Sequence, residues 1–222
     1  MALKYDRLIV ALDSDDKKKL LAIAKALGPK GVKFKIGLRA FIKFGPALVK
    51  QFVDRGYDVF LDLKLHDIPN TMKQAAAVMA EMGVWAFTVH AKAGEEALRQ
   101  VKAEVEAICK KNKTRKPIIL AVTELTSANA TAAQVMALIK TVGEVGLDCV
   151  CSAHEAAAIR KAHPKMKIVT PGIRGPNDAT GDQTRVMTAK AAFKEGASYI
   201  VVGRPIIEKT DYAAAAEGVL SV

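Results

Sequence analysis

The chain has 222 residues, half of them hydrophobic, 26% charged and only 5% aromatic, which is enough aliphatic material for one sizeable core of helices on buried parallel strands. Its formal net charge of +11 leaves two partner classes open, an acidic polymer or surface and an anionic small molecule. The lysines are spread along the chain rather than gathered in one block or stripe, which counts against a nucleic-acid surface.

Runs such as Lys17-Lys18-Lys19 and Lys110-Lys111 read as solvated helix faces. The three cysteines cannot all pair with one another, and their spacing suggests no disulfide framework, as expected in a reducing cytosol. The opening Met-Ala-Leu-Lys-Tyr-Asp-Arg breaks its apolar run with charge, and no stretch reaches the ~18 apolar residues of a membrane span. A cytoplasmic protein with no secretory signal and no membrane contact is the expectation.

In chain order, a first strand is expected near Leu8–Leu12, closed by Asp13. A helix with Leu20, Ala24 and Leu27 on one face follows and is ended by Gly28-Pro29. The second strand, near Val32–Ile36, carries Lys35. The third, near Val59–Leu63, runs into Asp62-Leu-Lys64-Leu-His66-Asp67, and Pro69-Asn70-Thr71 opens the next helix. The fourth, near Val84–Val89, stops at His90, before a helix marked by Leu98, Val101, Val105 and Ile108. The fifth, near Ile118–Val122, precedes a helix with Val135, Leu138, Ile139 and Val142 on one face. Strands near Asp148–Cys151, Lys167–Thr170 and Tyr199–Val202 complete the series.

Eight strands alternating with helices allow an open doubly wound sheet or a closed barrel. No G-x-G-x-x-G follows the first strand, and polar residues recur where the strands end. The expectation is an α/β chain folded as a single (β/α)8 TIM barrel over residues 1–222, with its site built from the loops after the strands. The longest glycine- and proline-rich segment, Pro171 to Gly181, follows the seventh strand. Its length suits a lid or binding loop, although its composition also suits a plain surface loop.

Strand alternation puts Asp62 and Lys64 on the same side of the third strand. If that side is the barrel interior, opposite charges stand together at its mouth. Alternating Lys and Asp groups satisfy one another where an isolated charge would be costly, and they hold an ammonium ready to protonate a developing carbanion. A purely stabilising ion-pair network explains the same short D-x-K-x-x-D pattern. After the eighth strand, Gly203, Arg204 and a helix N-terminus could hold a phosphate, or could form an ordinary turn with a surface arginine. Cys149-x-Cys151-x-x-His154 lacks a second ligand pair and reads as buried strand cysteines rather than a metal site. His90 either faces the site or is a hydrogen-bonded structural histidine. His66 reads as orienting the charged segment, and His163 as an exposed residue before a strand.

From Leu8-Ile-Val-Ala-Leu-Asp13 to Val201-Val-Gly203-Arg204-Pro205-Ile206, the chain resembles the orotidine 5′-monophosphate decarboxylase family, in its bacterial type. The most specific piece is Asp62-Leu-Lys-Leu-His-Asp-Ile-Pro-Asn-Thr71. Lys-Ile-Gly at 35–37, Thr-Glu-Leu-Thr at 123–126, Pro-Gly-Ile-Arg at 171–174 and Gly181-Asp182-Gln183 follow in family order. The resemblance implies conversion of orotidine 5′-monophosphate to uridine 5′-monophosphate and carbon dioxide, the last step of de novo UMP biosynthesis, with no metal and no other cofactor. It implies that Lys64 protonates C6 of the pyrimidine, that Asp62 and Asp67 lie beside the reacting carboxylate, and that Lys35 completes the array. Asp13 and Lys35 would contact the ribose and Thr126 the pyrimidine, while Arg174, Gln183, Gly203 and Arg204 would bind the phosphate or close over it. It also implies a homodimer in which Asp67, Ile68 and Thr71 reach the neighbouring protomer's site, with a nucleotide rather than nucleic acid or membrane as partner. One departure stands out: where many relatives carry a glycine pair after the histidine of strand four, this chain reads His90-Ala-Lys92-Ala93-Gly94.

Two rival readings remain. Magnesium-dependent sugar-phosphate enzymes of the same superfamily share D-x-K-x-x-D, but the Ile-Pro-Asn-Thr extension, the Thr-Glu-Leu-Thr segment and the arginine-to-glutamine loop argue against them. A basic, non-enzymatic nucleic-acid-binding domain accounts for the net charge but gives no reason for an inward-facing Asp62 and Lys64.

Overall fold

The eight aliphatic runs form eight parallel strands that pair in sequence order and close into a barrel, β8 returning to β1. The structure is a computed structural model that describes residues 5–124, 130–175 and 186–222. The strands are β1 (Leu8–Ala11), β2 (Lys33–Gly37), β3 (Val59–Leu65), β4 (Ala86–His90), β5 (Ile118–Val122), β6 (Asp148–Val150), β7 (Ile168–Thr170) and β8 (Tyr199–Val202). Between and after them run α1 (Lys17–Leu27), α2 (Leu38–Val53), α3 (Pro69–Glu81), α4 (Glu95–Asn112), α5 (Ala132–Val145), α6 (Ala156–Ala162), α7 (Ala189–Lys194), α8 (Arg204–Ile207) and α9 (Tyr212–Ser221). The expected (β/α)8 barrel is therefore what forms, with strand ends displaced by a residue or two. None of the helices among the described residues is long and apolar enough to cross a membrane.

The period-two pattern of each strand sorts its side chains into two cores. One face supplies the lumen, where Ile9, Ala11, Phe60, Trp85, Ala86, Leu120, Val169 and Val201 pack together. The other face, including Val10, Phe34, Leu61, Phe87, Ile119, Cys149 and Ile200, packs outward against the helices. Both faces of each strand are thus covered, which is why the strands read as continuous apolar runs. The expected buried strand cysteines are found at Cys149 and Cys151, both buried.

Local chemistry sets the helix ends. Asp16 caps α1 by accepting from the backbone N–H groups of Lys18 and Lys19 at 2.9 and 3.2 Å. Past Leu27 the chain tightens into a 3-10 turn, Gly28–Lys30, that carries the expected Gly-Pro stop. Thr131 and Gln134 form a reciprocal capping box at the start of α5. The α2 helix is interrupted at Gly45, whose φ of 63° accommodates the following Pro46. His163 differs from expectation: it is half-buried, and its ring lies against Gly143 of α5 where a side chain would otherwise stand.

The lower end of the lumen is plugged. Trp85 meets Tyr199 edge-to-face at 5.1 Å, and the Lys33 ammonium lies over both rings at 5.2 and 5.5 Å. Lys33 also donates to the Asp6 carbonyl at 2.8 Å and pairs with Asp58 at 3.7 Å, so its buried charge is compensated.

Outside the barrel, Phe34 is fully buried and meets Phe52 and Tyr57 edge-on at 5.8 and 5.3 Å. Replacing it leaves an aromatic-sized cavity that rigid neighbours cannot fill. Phe34→Ala is expected to destabilise the fold by about 3–5 kcal/mol, read from the shift in urea denaturation midpoint. A loss below about 1 kcal/mol would show that this layer is not tightly packed.

Candidate active site

The upper end of the barrel opens into a cavity of about 630 Å³. Its lining draws on the ends of seven strands and the loops after them, including Asp13, Lys35, Asp62, Lys64, Glu124, Arg174, Gly203 and Arg204. At its floor stands Asp62, 8% exposed and aimed into the lumen. Its two oxygens are divided between two cations: Oδ2 lies 3.1 Å from Lys35 Nζ, and Oδ1 lies 2.9 Å from Lys64 Nζ. The buried Thr88 of β4 also donates to Oδ1 at 3.1 Å. Burial alone drives the Asp62 carboxyl upward, but Lys35 and Lys64 together outweigh it and hold the group below the usual carboxylate range. The carboxylate is therefore ionised and both ammonium groups are fixed.

Lys64 reaches this position by a route that simple alternation does not describe. Its φ is 53°, in the left-handed region, and the register between β3 and β4 shifts between Leu61 and Leu65. The strand bulges there, and the Lys64 N–H leaves the ladder to donate to Thr88 Oγ1 at 2.8 Å. Such a conformation in a residue other than glycine is strained, and Thr88 holds it from the neighbouring strand. The expected pairing with Asp62 is found, but a bulge produces it. Lys-Ile-Gly at 35–37 also acquires a reason: a Cβ on Gly37 would stand 3.0 Å from Lys35 Nζ, crowding the ammonium that faces Asp62.

Asp67, Ile68 and Thr71 do not join this cluster. They are exposed at the turn into α3, outside the cavity lining, and Asp67 accepts from the Ile68 N–H at 2.7 Å. Ile68 is 66% exposed, an unusual position for a large aliphatic side chain. On the opposite rim, Arg174 is nearly buried and donates to the Ile173 carbonyl at 2.8 Å. Gly203 precedes α8, with Arg204 and Pro205 in its first turn. A Cβ at Gly203 would meet only Ala11, at an ordinary 3.6 Å, so packing within the chain does not demand the glycine. Thr126 and Gln183 lie outside the described residues.

Several lining residues escaped the sequence reading. Lys19, grouped with Lys17 and Lys18 as a solvated run, is partly buried and lines the cavity, as do Ser14, Arg39, Glu124 and Glu208. Arg39 pairs with Asp15 at 2.9 Å, tying the loop after β1 to the first turn of α2. At the other side of the mouth, His66 and His90 stack at 4.9 Å with an interplanar angle of 23°. His90 Nδ1 accepts from the Lys92 N–H at 3.3 Å, which supports its reading as a hydrogen-bonded structural histidine. No group of three or more His, Cys, Asp or Glu side chains among the described residues could hold a metal ion.

With this geometry in hand, the comparisons are specific. The sequence model of the Orotidine 5′-phosphate decarboxylase / HUMPS family matches residues 6–219. The chain belongs to that family. Among its relatives, the orotidine 5′-phosphate decarboxylase of Pseudoalteromonas translucida (strain TAC 125) is 42% identical, with 92% of each chain covered. That of Vibrio atlanticus (strain LGP32) is 41% identical, with 94% of each covered. The crystal structure of orotidine 5′-phosphate decarboxylase from Lactobacillus acidophilus superposes with a TM-score of 0.82 at 36% identity, covering 96% of this chain and 97% of the other. An uncharacterized conserved protein from Geobacillus kaustophilus superposes with a TM-score of 0.83 at 28% identity, covering 96% and 98%. The fold is thus shared with solved structures over nearly the whole chain.

The histidine pair makes the site edge sensitive to acid. Burial, then the neighbouring His66 and Lys92, lower the His90 pKa below its ordinary value. Above the unfolded value of about 6.5 the ring is neutral in both states and costs nothing. As pH falls below that, the unfolded chain takes up a proton before the folded one does, so stability declines until the folded ring titrates. Urea melts of the wild type should show this decline below pH 6.5, and His90→Gln should flatten it. Identical pH profiles for the two proteins would remove His90 as its source.

Proposed function

We propose that the chain decarboxylates orotidine 5′-monophosphate to uridine 5′-monophosphate and carbon dioxide, completing de novo UMP synthesis in the cytoplasm. The observation that carries this reading is the Lys35–Asp62–Lys64 array at the floor of a cavity whose far rim bears Arg174, Gly203 and Arg204. A compact dianion at that rim, a ribose toward Asp13 and Lys35, and a pyrimidine over Lys64 follow the order of the lining groups. The family membership and the names of its relatives support the same substrate.

In the proposed reaction, the bond between C6 and its carboxylate breaks, its electron pair stays on C6, and carbon dioxide departs. Lys64 Nζ then delivers a proton to C6, giving the product base. The C6 lone pair lies in the ring plane, so the π system does little to stabilise it. Charges fixed beforehand must do so instead, with little reorganisation at the moment of reaction. Asp62 holds the Lys64 side chain aimed at the site, 2.9 Å away, and its negative charge disfavours the substrate carboxylate nearby. The proposal includes no metal or organic cofactor. Contacts between the rim and the phosphate, remote from C6, supply binding energy that assembles the site; Gln183 and Thr126 are assigned to the phosphate and the pyrimidine on the same reading.

The proposal extends to a homodimer in which Asp67, Ile68 and Thr71 complete the partner's site. It is supported by their exposure away from their own cavity and by the exposed Leu38 and Ile42 of α2, 52% and 79% accessible.

An absorbance assay of orotidine 5′-monophosphate decarboxylation tests the reaction. Turnover is expected to survive EDTA, and Lys64→Ala should reduce it by at least about 10⁴-fold with the fold intact by circular dichroism. Strict magnesium dependence, or near-normal Lys64→Ala turnover, contradicts the reading. Shared sites make a separate prediction. Lys64→Ala and Asp67→Asn, each nearly inactive alone, should regain roughly a quarter of wild-type activity after mixing, because heterodimers carry one intact site. Mixed samples that contain heterodimers yet stay inactive would mean that each site is built within one chain.

A further inference from the structure

Among the carboxylates lining the cavity, Glu124 is held by a cation that does not itself line it. His90 and Val122 are register partners on β4 and β5, so Lys92 and Glu124, each two residues further on, emerge side by side where the strands end. The Lys92 ammonium lies 2.7 Å from Glu124 Oε1. The Glu124 side chain is only 13% exposed, whereas that of Lys92 is 48% exposed. The Lys92 backbone is itself fixed, since it lies in the 3-10 turn Ala91–Ala93 and donates to His90 Nδ1 at 3.3 Å.

We infer that Lys92 is a positioning residue that neutralises Glu124, keeping that wall of the cavity open to an anionic pyrimidine. The inference rests on the proposed function, in which the ligand carries a carboxylate on the ring and a phosphate on the ribose. A nearly buried, uncompensated carboxylate facing such a ligand repels it through a medium of low dielectric. With Lys92 in place, the pair presents no net charge to the cavity, and Glu124 is drawn back toward β4. Lys92 touches no reacting atom, so its loss should weaken binding rather than slow the chemical step.

Steady-state kinetics with orotidine 5′-monophosphate test this. Lys92→Ala should raise KM roughly tenfold while kcat stays within about twofold, and the rise should shrink with added salt. Lys92→Arg should restore KM, and so should the double variant Lys92→Ala/Glu124→Gln, because removing the negative charge removes the need for its partner. An unchanged KM in Lys92→Ala, a loss confined to kcat, or a double variant no better than Lys92→Ala would overturn the inference. A wild-type protein with no turnover at all overturns the proposed function as well; wild-type turnover with an unaltered Lys92→Ala KM overturns the ion-pair role alone.

Discussion

A carboxylate set inside an aliphatic barrel imposes conditions on everything near it. Asp62 would protonate, or the barrel would admit water, unless positive charge stood within hydrogen-bond distance of both its oxygens. Lys35 meets one oxygen from β2, and Lys64 meets the other from β3 itself, while Thr88 on β4 adds a neutral donor. Three adjacent strands are therefore committed to one side chain. Leaving out both lysines would strand an uncompensated ion at that depth, which destabilises by about 3–5 kcal/mol. The bulge at Lys64 and the absence of a side chain at Gly37 are local concessions to that arrangement.

Much of the fold was legible because the signals were local and repeated. Eight short aliphatic runs separated by amphipathic helices left few alternatives, and the Gly28-Pro29 stop after the first helix follows from residue chemistry within one turn. The charged floor was legible in part. Asp62 and Lys64 were recognisable as a pair, yet the reason given was regular alternation, and the chain reaches the same contact through a left-handed residue. Thr88 carried no such signal, because a threonine in a strand is unremarkable until the register places it beside Asp62. Lys19 and Glu124 were hidden for the same reason: their roles depend on which loops meet at the mouth, and a linear reading sees only a lysine run and a glutamate. Asp67, by contrast, stands apart from its own chain's cavity.

The stacked histidines and the Lys92–Glu124 pair form a second, weaker network beside the first. It lies where β4 and β5 end, so the two strands that flank it share a single electrostatic environment. Lys64 and Lys92 both act to lower the His90 pKa, which links the floor of the cavity to its edge through charge rather than through packing.

The plug of Trp85, Tyr199 and Lys33 gives the lumen a blind end. Traffic through the barrel is consequently one-way in space: whatever enters over the rim must leave over the same rim, and two products of one event must share a single door. A molecule formed at the floor is screened from the opposite side by aromatic rings, so the order of departure belongs to the mouth and its loops. The architecture thus separates two tasks along the barrel axis, with permanence at one pole and exchange at the other.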